Sequence, residues 1–168
     1  MREAIGSTWI YSLVVVFILL FVGFLVLALS YSKSFKTKNE LINIIERHEG
    51  VNTKSVEVIN RYLDYNGYST KGYCPNDKNK WLASNNLNSS SLVSAKSNEK
   101  YYYCVRREYS TSPKSDGSSK TNNKKVYYDV MVFFKFNLPV INNISTFRVD
   151  GITGDIIKSK DLFDSIKS

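Results

Sequence analysis

The strongest pattern in the chain is an apolar run near its N-terminus. Between Leu13 and Leu29 there is no charged and no strongly polar side chain, and the aromatic residues Trp9, Tyr11 and Tyr31 flank the run. About 20 mostly apolar residues cross the hydrocarbon core of a bilayer, and aromatic side chains are enriched at its two surfaces. The pattern therefore predicts one transmembrane helix.

Two other interpretations of this run stay open. One is a helix buried in a protein core, although such helices normally carry a polar face. The other is a signal peptide cleaved near Ser30, since Ala28 and Ser30 offer small residues and Arg2 supplies a basic start. The apolar core of a signal peptide spans only about 7–15 residues, which is shorter than this run. We therefore favour a span that stays in the protein.

The helical pattern continues beyond the apolar run without a breaking residue. No Gly or Pro occurs between Phe24 and Glu49, and apolar residues recur at roughly helical spacing, namely Phe35, Leu41, Ile42 and Ile45. This pattern predicts one helix over Ser7–Glu49, about 60 Å long at 1.5 Å per residue. Two helices with a hinge at Ser30–Ser34 are the alternative. We expect Phe35, Ile42 and Ile45 to pack on the rest of the protein.

The remaining residues are numerous enough for one small domain, which we call the head. The predicted division is a tail and transmembrane helix (1–32), a helical stalk (33–50) and the head (51–168). Within the head the pattern predicts a helix over Ser55–Tyr65 capped by Asn52 or Thr53, an irregular connection over Gly72–Glu99, strands over Tyr101–Tyr109 and Val126–Phe136, a polar loop over 110–125, and a strand-turn-strand around Asp150-Gly151.

Alternation along the second of these strands indicates how the head is built. Val126, Tyr128, Val130, Val132 and Phe134 fall on one face, and this face needs an apolar partner. A helix can cover it. The predicted fold class is therefore α+β, with a long N-terminal membrane-spanning helix packed on a small antiparallel-sheet head.

The head carries two cysteines, Cys74 and Cys104. In an exported domain two cysteines usually form a disulfide, which would stabilise a loop of this length by roughly 3–4 kcal/mol. The alternative is a cytoplasmic domain with two free thiols. Lys33, Lys36 and Lys38 favour that alternative, because positive charge next to a span usually stays in the cytoplasm. We nevertheless favour an extracytoplasmic head on a single-pass membrane protein.

The net charge of +8 bears on partners. A basic surface attracts anionic lipid headgroups and anionic wall polymers. The chain has no recognised nucleic-acid motif, so nucleic acid is not an expected partner.

No set of residues has the spacing of a catalytic, cofactor or metal site. His48 is the single histidine and lies on the predicted stalk. The pairs Asp150-Gly151 and Gly154-Asp155 are compatible with a cation-binding turn, but ordinary turns use the same residues. The chain is therefore expected not to be an enzyme.

The order of elements resembles type IV pilins and pseudopilins, in particular the small pseudopilin-like proteins of tight-adherence (Tad) systems. The resemblance rests on "REAIGSTWIYSLVVVFILLFVGFLVLALSYSKSF" and more loosely on "FNLPVINNISTFRVDGITGDI". It implies cleavage between Gly6 and Ser7, and assembly through the apolar helix with other pilin-like or platform membrane proteins. The family also has a glutamate at the fifth mature position, where this chain has Tyr11. A minor or initiating subunit that keeps its anchor fits that departure.

These observations predict a pilin-like structural or assembly subunit of a bacterial pilus or secretion machine. Gly23, Ala28 and Ser30 are the small residues that would allow other helices to approach the span closely. The alternatives are a single anchored adhesion module and a membrane regulator that faces the cytoplasm.

Overall fold

The computed structural model describes residues 2–76, 81–110, 125–135, 146–157 and 162–165. Three helices and five strands lie in this part of the chain: α1 (Arg2–Arg47), α2 (Thr53–Tyr65), β1 (Leu82–Ser84), β2 (Val93–Ser94), β3 (Tyr103–Ser110), β4 (Lys125–Lys135), β5 (Thr146–Ile152) and α3 (Leu162–Ser165). The predicted α+β class, with a long apolar N-terminal helix and a small antiparallel sheet, is confirmed.

Helix α1 is continuous through the position of the alternative hinge. The hydroxyl groups of Ser34 and Thr37 donate to the carbonyl groups four residues earlier, at 3.0 Å in both cases. The helix ends where Glu49 and Gly50 take positive φ angles of 56° and 135°, and the Gly50 N–H donates to the Ile45 carbonyl at 2.9 Å. This glycine-assisted termination satisfies carbonyl groups at the helix end and reverses the chain toward α2.

Helix α2 begins with a reciprocal cap. The Ser55 N–H donates to Asn52 Oδ1, and the Asn52 N–H donates to Ser55 Oγ, both at 2.9 Å. Of the two predicted caps, Asn52 is therefore the one used. The apolar face of α2, formed by Val56, Ile59 and Leu63, is buried.

The five strands form one antiparallel sheet in the order β2-β1-β3-β4-β5. Two sequence predictions are wrong here. The connection over Gly72–Glu99 contains β1 and β2, which are too short to show an alternating pattern. Asp150-Gly151 is not a turn, because these residues pair with Met131 and Val130 inside the β4–β5 ladder. The last residue of the predicted strand, Phe136, and most of the polar loop over 110–125 lie outside the described residues.

The main core fills the space between the helices and one face of the sheet. It includes the alternating β4 residues Val126, Tyr128, Val130 and Val132. The partners from α1 are Leu41, Ile44 and Ile45, and α2 contributes its own apolar face. The predicted orientation of β4 is therefore confirmed.

A second apolar cluster lies on the opposite face of the sheet. Its buried members are Cys74, Trp81, Ala83, Tyr101, Cys104, Met131 and Phe133. The two cysteine sulfurs lie at bonding distance, 1.97 Å, with a Cα–Cα separation of 5.9 Å. The disulfide thus joins the segment before β1 to β3 and holds that segment across this face.

Tyr68 completes the hydrogen bonding at the end of the β3–β4 ladder. The ladder ends at the pair Tyr103–Val132, one residue before Phe133. The Tyr68 hydroxyl donates to the Phe133 carbonyl and accepts from the Phe133 N–H at 2.8 Å. One side chain therefore satisfies both main-chain groups where the neighbouring strand has ended.

We predict that Gly72→Ala destabilises the head. Gly72 pairs with Tyr101, and an added methyl group would overlap the buried ring of Phe133. Forcing extra volume into a packed site costs about 1–3 kcal/mol, which should appear as a lower midpoint in chemical denaturation. Ser69→Ala is a suitable control, because Ser69 is exposed and lies three residues before Gly72. An unchanged midpoint for Gly72→Ala would contradict the close contact.

We also predict a loss of stability at alkaline pH. Burial raises the pKa of Tyr68, and it raises the pKa of the fully buried Tyr103. A raised pKa in the folded state contributes stability below the unfolded value of about 10, and this contribution is lost as the pH rises above it. Tyr68→Phe should lower the free energy of unfolding at neutral pH by about 1–3 kcal/mol, because two main-chain groups lose their partner. It should also make the alkaline loss shallower in pH-dependent denaturation. If the free energy of unfolding falls equally steeply with alkaline pH in the wild-type protein and in Tyr68→Phe, this prediction is contradicted.

Candidate membrane helix and its junction with the head

The N-terminal part of α1 presents apolar side chains to solvent on all sides. From Trp9 to Leu29 every large apolar residue except Val26 is strongly exposed, with Leu20 at 69% and Leu29 at 71%. Within the described residues, this is the one helix that is long and apolar enough to cross a membrane, and it lies near the N-terminus. From Trp9 to Tyr31 it spans about 35 Å, slightly more than a hydrocarbon core of about 30 Å.

The three small residues predicted for helix packing do not share one face. Gly23 and Ser30 are seven residues apart and therefore lie nearly in line along α1, whereas Ala28 is rotated by about 140° from Gly23. No atom lies within 4 Å of a Cβ placed on Gly23. The line through Gly23 and Ser30 continues into Ser34, Thr37 and Leu41, which pack on the head. The small residues of the span thus extend the face that contacts the sheet.

The contact between α1 and the head uses a different set of residues from the predicted one. The buried residues are Ser34, Thr37, Lys38, Leu41, Ile44 and Ile45. Ile45 is fully buried and Ile42 is half-buried against the core, as expected. The placement of Phe35 in this contact is wrong, since 43% of Phe35 is exposed. The small hydroxyl residues Ser34 and Thr37 lie on the buried face of α1 instead, and they allow α1 to approach the sheet closely.

Lys38 is buried in this contact, with only 8% of its surface exposed. Its ammonium group lies 4.1 Å from the centre of the Phe35 ring. Its Cδ atom would lie 2.6 Å from a Cβ on Gly151, and the Ile42 Cδ1 atom would lie 2.8 Å from it. Gly151 therefore leaves room for the aliphatic part of Lys38, while the charged end reaches the exposed Phe35 ring.

Aromatic rings connect α1 to the sheet at the end of the head nearest the apolar segment. Tyr31 stacks with Phe35 at 6.4 Å and meets Phe134 edge-on at 6.1 Å. Phe134 stacks with Phe147 at 5.3 Å. The line crosses three elements, α1, β4 and β5. The sequence did not indicate it, because Tyr31 meets Phe134 only when α1 packs on β4, and Phe134 meets Phe147 only when β4 pairs with β5.

The outer face of the sheet carries an open groove of about 650 Å³ beside the second cluster. Arg106 covers the Trp81 ring at 4.8 Å and donates to Asp129 through Nε at 3.2 Å. Arg148 and Asp150 lie on the neighbouring strand, 3.8 Å apart. The described lining residues include two arginines and two aspartates but no serine, cysteine or histidine nucleophile or base. Arg106 and Asp129 form an ion pair across β3 and β4, and Arg148 and Asp150 form one along β5.

Glu46, in the last turn of α1, and His48, which directly follows α1, accept hydrogen bonds from neighbouring segments. Glu46 Oε1 accepts from the Gly154 N–H at 2.6 Å, which ties the end of α1 to the segment after β5. The His48 carbonyl accepts from Asn52 Nδ2 at 2.9 Å. Within the described ranges no three His, Cys, Asp or Glu side chains come close enough to hold a metal ion. Gly6 and Ser7 lie within α1.

We predict that Ile42→Asp destabilises the head by about 2 kcal/mol or more, because a charged carboxylate would replace an apolar side chain in the contact with β5. Asn43→Asp is the matched control, since Asn43 is exposed and the change adds the same charge one residue away. Thermal denaturation of the full chain in detergent would measure both. Equal melting temperatures for the two variants would mean that Ile42 does not support the contact.

The chain matches no protein-family model, no curated protein and no solved structure.

Proposed function

We propose that the protein is a membrane-anchored, pilin-like structural or assembly subunit of a bacterial envelope machine. One observation carries this proposal: a single uninterrupted helix is exposed and apolar along its first part and buried against a sheet along its last part. The first part suits lipid or other apolar helices, and the last part belongs to the core of the head. The resemblance to tight-adherence pseudopilins rests on the same arrangement.

The continuity of α1 supports a role in positioning. A head tethered through a flexible linker samples many orientations, whereas a head built onto the anchoring helix follows that helix directly. Leu41 and Ile45 are completely buried, and Glu46 bonds the segment after β5. The C-terminal part of α1 therefore cannot separate from the head without exposing the core. Packing between apolar helices of neighbouring subunits would then set the spacing of the heads.

We place the head outside the cytoplasm. The Cys74–Cys104 pair has disulfide geometry, and disulfides persist in oxidising compartments. Lys33 and Lys36 are exposed next to the span and favour the opposite orientation. Lys38, the third flanking lysine, is buried in the contact between α1 and the head. The disulfide supports our assignment, and membrane lipid and other envelope membrane proteins are the proposed partners.

Replacement of Gly23 tests the proposal. Gly23→Leu adds bulk to the open face that is in line with the head-packing stripe. We expect it to lower the recovery of crosslinked membrane partners by about tenfold, equivalent to roughly 1.4 kcal/mol of helix association. Membrane insertion and folding of the head should be unchanged. Crosslinking in cells followed by co-purification measures the effect.

Ala28→Leu is the matched control, because it adds similar bulk to a different face of the same span. Unchanged partner recovery for Gly23→Leu, with a loss for Ala28→Leu, would assign the packing face to Ala28. If the wild-type protein recovers no membrane partner, the assembly proposal fails and an anchored adhesion module replaces it.

A further inference from the structure

The end of the head nearest the span carries an exposed aromatic edge. We define the span-side rim as Tyr31, Phe35, Phe134, Lys135 and Phe147. Tyr31 is 49% exposed and Phe147 is 46% exposed, although both rings also contact Phe134. Exposed rings that lie next to one another form a contiguous apolar patch, and such a patch marks an interaction site.

The rim lies at the height where the apolar segment ends. Tyr31 follows Leu29 by two residues, which is about 3 Å along the helix axis. The Phe134 ring lies 6.1 Å from the Tyr31 ring, and Phe147 lies 5.3 Å from Phe134. The interfacial layer extends about 5–7 Å beyond the hydrocarbon on each side of a bilayer. When the apolar segment spans a membrane, the ends of β4 and β5 therefore reach that layer.

The direction of the strands supports this placement. Along α1, Tyr31 meets the end of β4, Lys38 meets Gly151, and Glu46 meets Gly154. The chain of contacts therefore rises from the rim toward the far end of the head as α1 leaves the span. At that far end, Tyr109 pairs with Val126, eight residues before Phe134 on β4. The far end is about 27 Å from the rim at 3.4 Å per residue.

The composition of the rim suits lipid headgroups. Tyr31 is a ring type that is enriched at the membrane–water interface, and Phe rings favour the boundary between headgroups and acyl chains. Exposed lysines lie at the same level: Lys33 and Lys36 on α1, and Lys135 next to Phe134 on β4. Basic residues within the surface layer attract anionic phospholipids. Both features act in either orientation of the protein across the membrane.

We propose that the span-side rim is a lipid-contact surface, which seats the head on an anionic phospholipid bilayer and limits its tilt. We favour a bilayer over a second protein as the occupant, because the rim is continuous with the span and lies at the level where the span ends. This inference rests on the membrane anchoring in the proposed function, but it does not require assembly with other subunits. It assigns a role to the exposed rings of Tyr31, Phe35 and Phe147.

Tryptophan quenching in vesicles tests the proposal. The full chain with Trp9→Phe and Phe147→Trp is reconstituted in vesicles of phosphatidylcholine and phosphatidylglycerol, with or without lipids brominated near the headgroup. The matched reporter carries Tyr109→Trp at the far end, and the emission of buried Trp81 is subtracted. We expect at least about a twofold larger loss of emission at position 147, since the two positions are about 27 Å apart.

A second comparison tests the lysines. In the Phe147→Trp protein, replacing phosphatidylcholine vesicles by the mixed anionic vesicles should increase quenching. Lys33→Gln, Lys36→Gln and Lys135→Gln together should abolish that increase. Equal quenching in both vesicle types would overturn the assignment to anionic lipid.

The failure of the rim and the failure of the anchor are distinguishable. The wild-type chain reports the span through Trp9, which should be quenched by the brominated lipids. Quenching at Trp9 with none at position 147 would overturn the lipid-contact rim while leaving the anchor in place. A crosslink between two copies through position 147 in that case would assign the rim to a protein interface. No quenching at Trp9 would overturn the anchor and with it the proposed function.

Discussion

The burial of one stripe of α1 against β4 and β5 is the interaction on which the rest of the structure depends. Leu41 and Ile45 have no exposed surface, and they lie in the same core as Val130 and Val132. Without them the inner face of the sheet would be open to water along two of its strands. Helix α2 alone covers too little of it, since the core draws residues from both helices. Helix α1 is thus also a structural element of the head.

That packing imposes local constraints on both partners. On the helix, Ser34 and Thr37 lie where larger residues would hold α1 away from the sheet, and their hydroxyl groups bond back to the helix itself. On the sheet, Gly151 leaves space for the Lys38 and Ile42 side chains. A polar residue is tolerated in the contact because its hydrogen bond is made locally. Lys38 is tolerated because its charge emerges at the Phe35 ring.

Among the described residues, the outer face of the sheet is covered by a segment without helical structure. The segment that contains Cys74 crosses it, and the disulfide joins this segment to the middle of β3. Trp81, Met131 and Phe133 then form a second small core beneath it. In a domain of this size one core buries limited surface, so a covalent link that constrains the unfolded chain adds useful stability. The two faces are therefore stabilised by different means, helix packing on one side and a crosslinked segment on the other.

The sequence alone was sufficient for the features that depend on local periodicity. Spacing along a single element predicts the apolar run, the continuous helix, α2 and the inward face of β4. The disulfide is predicted because the chain has only two cysteines. Sequence and structure both describe the first part of α1 as an apolar helix long enough to cross a membrane. Its partners are a proposal.

Only the tertiary structure decided which residues meet. Phe35 stays exposed while Lys38 is buried beside Gly151, and no helical pattern reveals that close approach. Asp150-Gly151 has the composition of a turn, yet pairing with β4 keeps it in a strand. The strands β1 and β2 are defined by their neighbours, since two or three residues show no alternation of their own. The aromatic rim likewise exists only because the β4–β5 register brings Phe134 and Phe147 to the height of Tyr31.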